Sequence, residues 1–140
     1  MASVKLTLWT RNWLLDNFHQ IIDYPTDEQG IIRFYSGTQP ASPEDAPGGG
    51  NTLLATRVFA NPAMDAASGG TVEFALPLTE TGTDVSGTVT WARILNHNGD
   101  GIMDLDVGTS GTSILVSSTS IGPSNPIQIL SGVIALGAGT

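Results

Sequence analysis

The residues of this chain that could do chemistry are two histidines, a scatter of carboxylates and three tryptophans. His19 follows Asp16 by three positions. That spacing sets both on one helix face and could make a general-base pair. The same spacing serves a polar pair on a solvated helix face, opposite an apolar stripe through Phe18 and Ile22, and that reading is preferred. His97 lies in Asn96-His97-Asn98-Gly99-Asp100-Gly101. Asn96, Asn98, Asp100 and Gly101 fit the first half of an EF-hand calcium loop. The twelfth position is Val107, where a bidentate glutamate is needed, and the flanks read as strands. A hairpin turn is the better reading, because Asn and Gly supply the positive φ that tight hairpins demand. Asp104 and Asp106 would add oxygens to no more than a weak ion site.

Other reactive patterns are missing. The sequence has no Walker loop, no G-x-G-x-x-G, no H-E-x-x-H and no G-x-S-x-G. The run Gly48-Gly49-Gly50 lacks the lysine and helix of a phosphate cradle. Glu44 and Asp45 lie in a Pro/Gly-rich stretch, whereas glycoside hydrolysis needs two rigidly held carboxylates. Trp9, Trp13 and Trp91 could line a sugar-binding face. Trp9 and Trp13 flank a helix start, so packing against a sheet is the expected role. These residues predict no catalytic site, no cofactor and no metal, and hence a protein that is not an enzyme.

The elements that would carry these residues follow from periodicity. Val4 to Trp9 alternates as a short strand, and Thr10 reads as the N-cap of a helix from about Arg11 to Asp23. Trp13, Leu14, Phe18, Ile21 and Ile22 form its apolar stripe, and Pro25 ends it. After a turn at Asp27 to Gly30, strands are expected over 31–35, 52–60, 71–78, 86–95, 102–107, 112–118 and 127–136. Within 71–78, Val72, Phe74, Leu76 and Leu78 share a face. Farther on, Met103, Leu105 and Val107 point inward, and Asp104 and Asp106 outward. Glu80 to Asp84 and Asn96 to Gly101 are turns. The pattern predicts a mainly β fold, an eight-stranded β-sandwich or jelly roll with one N-terminal amphipathic helix.

The chain has 140 residues and no cysteine, which fits one domain over 1–140 without disulfides. Thirteen acids against five bases give a net charge of −8. The bases Lys5, Arg11, Arg33, Arg57 and Arg93 are scattered, so nucleic acid and anionic membrane surfaces are poor partners. No apolar run is long enough to span a bilayer, and the first residues lack a signal-peptide pattern. Synthesis and assembly in a cytoplasm are expected. Charged residues make up only 13% of the chain, and Gly 17 and Pro 8 are high.

Two stretches read as partner-binding. The segment 36–51, SGTQPASPEDAPGGGN, holds Pro40, Pro43 and Pro47 and predicts an extended loop that leaves the core as an arm. From Val107 to Thr140 there is no charged residue. Charge depletion marks interface cores, so Ile134 to Thr140, with Ile134 and Leu136, is expected at an interface. A homo-oligomer follows, a dimer by the prevalence of two-fold closure.

Several strings resemble small virion proteins of tailed bacteriophages. Arg11-Asn12 with Leu15-Asp16 resembles an R-N-x-x-L-D helix, and Arg33 to Ala41 resembles R-I-Y-S-G-T-Q-P-A. Leu53-Leu54-Ala55-Thr56, then Phe59 to Ala63, resembles the next strand and loop. Trp91-Ala92-Arg93-Ile94, a G-D-G turn and Met103-Asp104 continue the likeness. It spans most of the chain up to Asp104, and the tail matches only in character. The family is that of capsid decoration, or cement, proteins, of the jelly-roll kind found in Bordetella podophages. The resemblance implies a non-enzymatic protein on the outside of a virion head, clamping copies of a major capsid protein. A tail, neck or fibre component of such a particle, or a carbohydrate-binding β-sandwich using Trp91 or Tyr35, are the alternatives.

Overall fold

Runs of branched and aromatic residues at period two build most of this molecule. A computed structural model describes residues 4–25 and 28–137. Asp27 of the expected turn lies outside the described residues. Helices α1 (Leu8–Asp16) and α2 (His19–Ile22) precede ten strands. These are β1 (Ile31–Tyr35), β2 (Leu53–Val58), β3 (Thr71–Glu73), β4 (Thr79–Glu80), β5 (Gly87–Thr88), β6 (Trp91–Leu95), β7 (Gly101–Gly108), β8 (Ile114–Val116), β9 (Ser120–Ile121) and β10 (Ile129–Ala135). Eight form one sheet in the order β3-β10-β8-β7-β6-β1-β2-β4, and β5 pairs with β9 as a separate ribbon. The fold is mainly β with an N-terminal helix. The large sheet curls into a half-barrel, consistent with a β-sandwich or jelly roll.

Spacing shows how far the curl goes. Strands sit ~4.8 Å apart, so β3 and β2 would lie roughly 29 Å apart on a flat sheet. Yet Phe74, just after β3, meets Phe59, just after β2, edge to face with ring centroids 5.2 Å apart. The sheet therefore wraps around its own core. Cross-strand register puts Ile32, Phe34, Ala55, Ala92 and Ile94 on the inner face, all buried. A Cβ on Gly132 of β10 would collide with the Phe74 ring, so the tight closure needs glycine there.

A buried ion pair locks the wrapped end. Arg57 of β2 points inward beside Ile32 and is 2% exposed. Its two terminal nitrogens each donate to one oxygen of Asp84 at 2.8 Å. Asp84 also accepts the Ile127 backbone N–H at 2.8 Å, and Arg57 donates to the Thr56 carbonyl at 2.9 Å. One guanidinium thus joins β2, the 84 loop and the approach to β10.

The helices and several strand ends differ from expectation. Val4 to Thr7 is not a strand, and α1 begins at Leu8. Thr7, not Thr10, is the N-cap, because its hydroxyl accepts the Thr10 N–H. The helical stretch is broken at Asn17, whose side chain donates to the Trp13 carbonyl at 2.8 Å. The strand expected over 71–78 stops at Glu73, which leaves Leu76 exposed; Pro77 offers no N–H to a ladder. Glu80, expected to open a turn, instead joins Thr79 in a short strand that pairs with β2. The stretch 86–95 splits because its first half pairs with β9 and its second with β1 and β7.

The turn between β6 and β7 is the expected hairpin. The Asn96 side chain accepts the Asp100 N–H at 3.0 Å, and Gly99 takes φ +87°. After β7 the chain loops tightly, and β8 runs parallel to it. Asp106 holds this loop by accepting the Ser113 N–H at 3.0 Å. Burial pushes the Asp106 carboxyl up, but the hydrogen bonds from Ser113 outweigh it and hold it below the usual carboxylate range.

Two predictions follow from these contacts. Asp84→Asn leaves the buried Arg57 charge facing only the exposed Glu80 carboxylate, 3.6 Å away, so urea unfolding should show a loss of about 3 kcal/mol, the low end of the cost of breaking a buried pair. The Asp106 contribution is present in full above the unfolded carboxylate range and is lost as pH falls through its lowered folded value. Asp106→Ala should therefore be less stable than wild type near neutrality, and the gap should close in strong acid, as thermal midpoints against pH would show.

Candidate docking surface

Helix α1 is amphipathic in the reverse of the usual sense. Leu15 and, in α2, Ile22 are buried, with Phe18 packed against the core. The other inward residues of α1 are polar, and each bonds to distant backbone. Arg11 donates to the Leu136 carbonyl at 3.4 Å. Asn12 accepts the Gly70 N–H at 2.8 Å, and Asp16 accepts the Ala67 N–H at 2.6 Å. Arg11, Asn12, Leu15 and Asp16 fall on one side of a 3.6-residue helix. Beyond Asp16 on the helix surface come Trp9 and Trp13, one turn apart, 75% and 56% exposed. Leu14, Ile21 and Tyr24 are also exposed. The expected stripe of Trp13, Leu14, Phe18, Ile21 and Ile22 is thus corrected: only Phe18 and Ile22 face the body. The tryptophans do not pack on the sheet either.

Three of the five bases are withdrawn from the surface, and Arg33 is half-buried. Arg57 and Arg93 are buried, and Arg11 is turned inward. Lys5 is the one exposed base among the described residues.

The histidines do not make the pair that the sequence offered. His19 contacts Asp23, not Asp16, with Nδ1 3.1 Å from Oδ2. Asp23 is buried and also accepts the Ala63 N–H at 3.4 Å, so the pair ties α2 to the 63 loop. His97 lies 2.7 Å from Glu28 and 3.2 Å from the Gln29 carbonyl. Those residues line an open cleft of about 580 Å³ with Ile31, Val58 and Asn61. Among the described residues the lining includes no Ser, Thr, Cys or Lys that could act as a nucleophile. Among the described residues no three His, Cys, Asp or Glu stand close enough to hold a metal ion. Asp104, expected outside, has a side chain only 2% exposed and is engaged by Arg93.

That engagement belongs to a covered aromatic stack on the outer sheet face. Tyr35 and Trp91 stack with centroids 4.6 Å apart, and Arg93 lies over the Trp91 ring at 5.4 Å. Arg93 donates to both Asp104 oxygens, at 2.6 and 2.9 Å, and to the Asp45 carbonyl at 2.7 Å. The hydrogen bond to Asp104 holds the guanidinium above its ordinary value, outweighing burial. Trp91 is 1% and Tyr35 7% exposed, so neither offers the sugar platform that the sequence allowed.

The segment 36–51 is therefore not a free arm. It folds back as a strap, fixed at Asp45 and by Asn51, which donates to the Ser36 and Thr38 carbonyls at 3.0 and 2.8 Å. Thr90 donates to the Gly37 carbonyl. Pro43 is exposed, and Pro40 and Pro47 are half-buried. Ile134 sits opposite Val72 in β10, and Leu136 bonds to Gly70. Both are half-buried against the core. The end of the expected tail, 138–140, lies outside the described residues. Contacts within the chain account for the apolar character of Ile134 and Leu136, whereas Trp9 and Trp13 remain exposed among the described residues.

Compared with protein-family models, curated proteins and solved structures, the chain finds no match. The likeness to phage cement proteins rests on the sequence motifs alone.

Deleting Pro43 to Gly50 should lower the thermal midpoint, because it strips an acceptor from the buried Arg93 guanidinium. It should also make Trp91 fluorescence quenchable by iodide in a Trp9→Phe, Trp13→Phe background. An unchanged midpoint and a still-protected Trp91 would mean that the strap covers nothing.

Proposed function

We propose that this chain is a non-enzymatic structural protein that cements a tailed-phage head. It binds the outside of the assembled capsid, touches neighbouring copies of the major capsid protein, and is assembled in the host cytoplasm. The observation that carries this reading is the exposed aromatic face of the N-terminal helices. Arg11 and Asn12 turn inward beside Leu15, while Trp9, Trp13, Leu14 and Ile21 stay exposed, which suits a helix made to be covered by another protein. The motifs of residues 11–104 supply the kind of protein, and they imply no catalytic residue. Copies of the chain associate with one another as well, a dimer by preference.

A tail, neck or fibre role is the second reading, since the same motifs and surface would serve it. The sugar-binding alternative loses Trp91 and Tyr35, which are covered, and keeps only the exposed Trp9 and Trp13.

Cement acts by linkage. Each copy that prefers the assembled lattice adds RT ln(1 + [L]/Kd), ~2.7 kcal/mol at a hundredfold excess over Kd. Heads stripped of the protein should release DNA at a lower temperature than decorated heads, and adding the purified chain back should restore the difference. Hundreds of copies per particle are expected for cement and only a few for a tail part. Undecorated heads as heat-resistant as decorated ones would refute the cement reading.

A further inference from the structure

Resting on the cement reading, we infer that Trp9 and Trp13 are the anchors of docking, and that they seat in an apolar groove with a basic rim on the capsid protein. The two rings lie one helical turn apart on the side of α1 that faces away from the body. That is the pattern by which a short helix enters a groove. Buried tryptophans dominate interface energetics more than any other residue type. A tryptophan contributes up to ~250 Å² when covered, so these two at their observed exposure offer on the order of 300 Å². With Leu8, Leu14, Ile21 and Tyr24, each about half exposed, the segment offers roughly 600–700 Å², close to the ~800 Å² that each partner gives to a stable interface.

The charge distribution sets the partner's chemistry. The one exposed charged side chain of α1 is Asp16, at the helix's last position and about two turns beyond Trp9, so the groove floor is apolar under the two rings and meets charge only at its edge. Around the helical segment, Asp16, Glu28 and Asp65 are all exposed. Across the described residues every acid is exposed except Asp23, Asp84 and Asp104 (whose side chain is covered), against Lys5 as the exposed base. An acidic rim calls for Lys or Arg around the groove. The same rim argues against a second copy on this face, since a two-fold contact would set Asp16, Glu28 and Asp65 against an equally acidic surface. It argues equally against an anionic lipid surface.

The test uses heads assembled from the major capsid protein and titrated with the full chain. Trp9→Ala and Trp13→Ala should each weaken binding at least about tenfold. Leu130→Ala, which removes an exposed side chain on β10, should stay within about twofold. Both tryptophans are exposed, so thermal midpoints should not move. As a measurement without mutation, tryptophan emission should shift to the blue and lose iodide quenching when heads are added. Salt should slow association and leave dissociation nearly unchanged. If wild type binds heads and the tryptophan variants bind equally well, the anchor assignment is wrong and the cement reading stands. If wild type binds no heads, both fall. A wild-type dimer that Trp13→Ala converts to monomer would assign the face to a second copy and overturn the groove. Adsorption to phosphatidylcholine vesicles that is lost in the double variant would overturn it in favour of lipid.

Discussion

The salt link between Arg57 and Asp84 is the constraint on which the wrapped sheet depends. A curled sheet brings strands from its two ends across one core, and something must fix their meeting. Here a charge is placed on the inner face of β2, at a position where alternation would put an aliphatic residue. Burying it alone would cost several kcal/mol. Asp84 neutralises it in bidentate geometry, and the Thr56 carbonyl and Ile127 N–H satisfy the atoms around the pair. A pair of this kind adds little net stability over a well-packed apolar substitute. What it adds is position, since only one arrangement of β2, the 84 loop and the 127 segment satisfies every donor and acceptor. The Phe59–Phe74 contact and the glycine at 132 then close the space that this arrangement leaves.

The outer face of the sheet solves the opposite problem. Strand β6 is buried along its whole length, although a sheet with one dry face would leave alternate residues wet. The strap over 36–51 carries too few apolar residues to make a second core. It covers instead through one backbone carbonyl on Arg93, while Arg93, Trp91 and Tyr35 stack on one another. Two of the five bases are consumed in this way inside the molecule, one on each face of the sheet. The surface is consequently more acidic than the composition suggests.

Period-two alternation misled at Val4 to Trp9 and was absent from the two-residue β4 and β9, but most of the longer strands were legible in the sequence because it is a local signal. The hairpin at Asn96 to Gly101 was legible for the same reason. The orientation of α1 was not. Counting apolar residues places Trp13, Leu14 and Ile21 inside, but the helix is held by Arg11, Asn12 and Asp16, whose partners are 125, 58 and 51 residues away. A trace of it was present: Arg11, Asn12 and Asp16 share a side with Leu15, so one face mixes polar and apolar residues while the tryptophans lie just beyond it. The strap was misread for a related reason. Pro and Gly content identifies irregular backbone, but whether that backbone leaves the body depends on Arg93, which alternation alone assigns to solvent.

The reversed helix also explains how an interaction surface can coexist with a stable fold. If α1 were held by tryptophans packed on the sheet, exposing those same rings to a partner would require unfolding the contact. Hydrogen bonds from short polar side chains to loop backbone hold the helix instead, and they leave the largest apolar side chains free without loosening it. The arrangement carries a cost, because an isolated copy exposes more apolar surface in one region than a monomeric protein ordinarily tolerates. The net acidic charge offsets that cost by keeping copies from meeting through this face until a surface of opposite charge and matching shape is met. The inward-turned polar residues of α1 and the burial of Arg57 and Arg93 therefore act together. The first frees the anchors, and the second removes the cations that would otherwise neutralise the repulsion between copies.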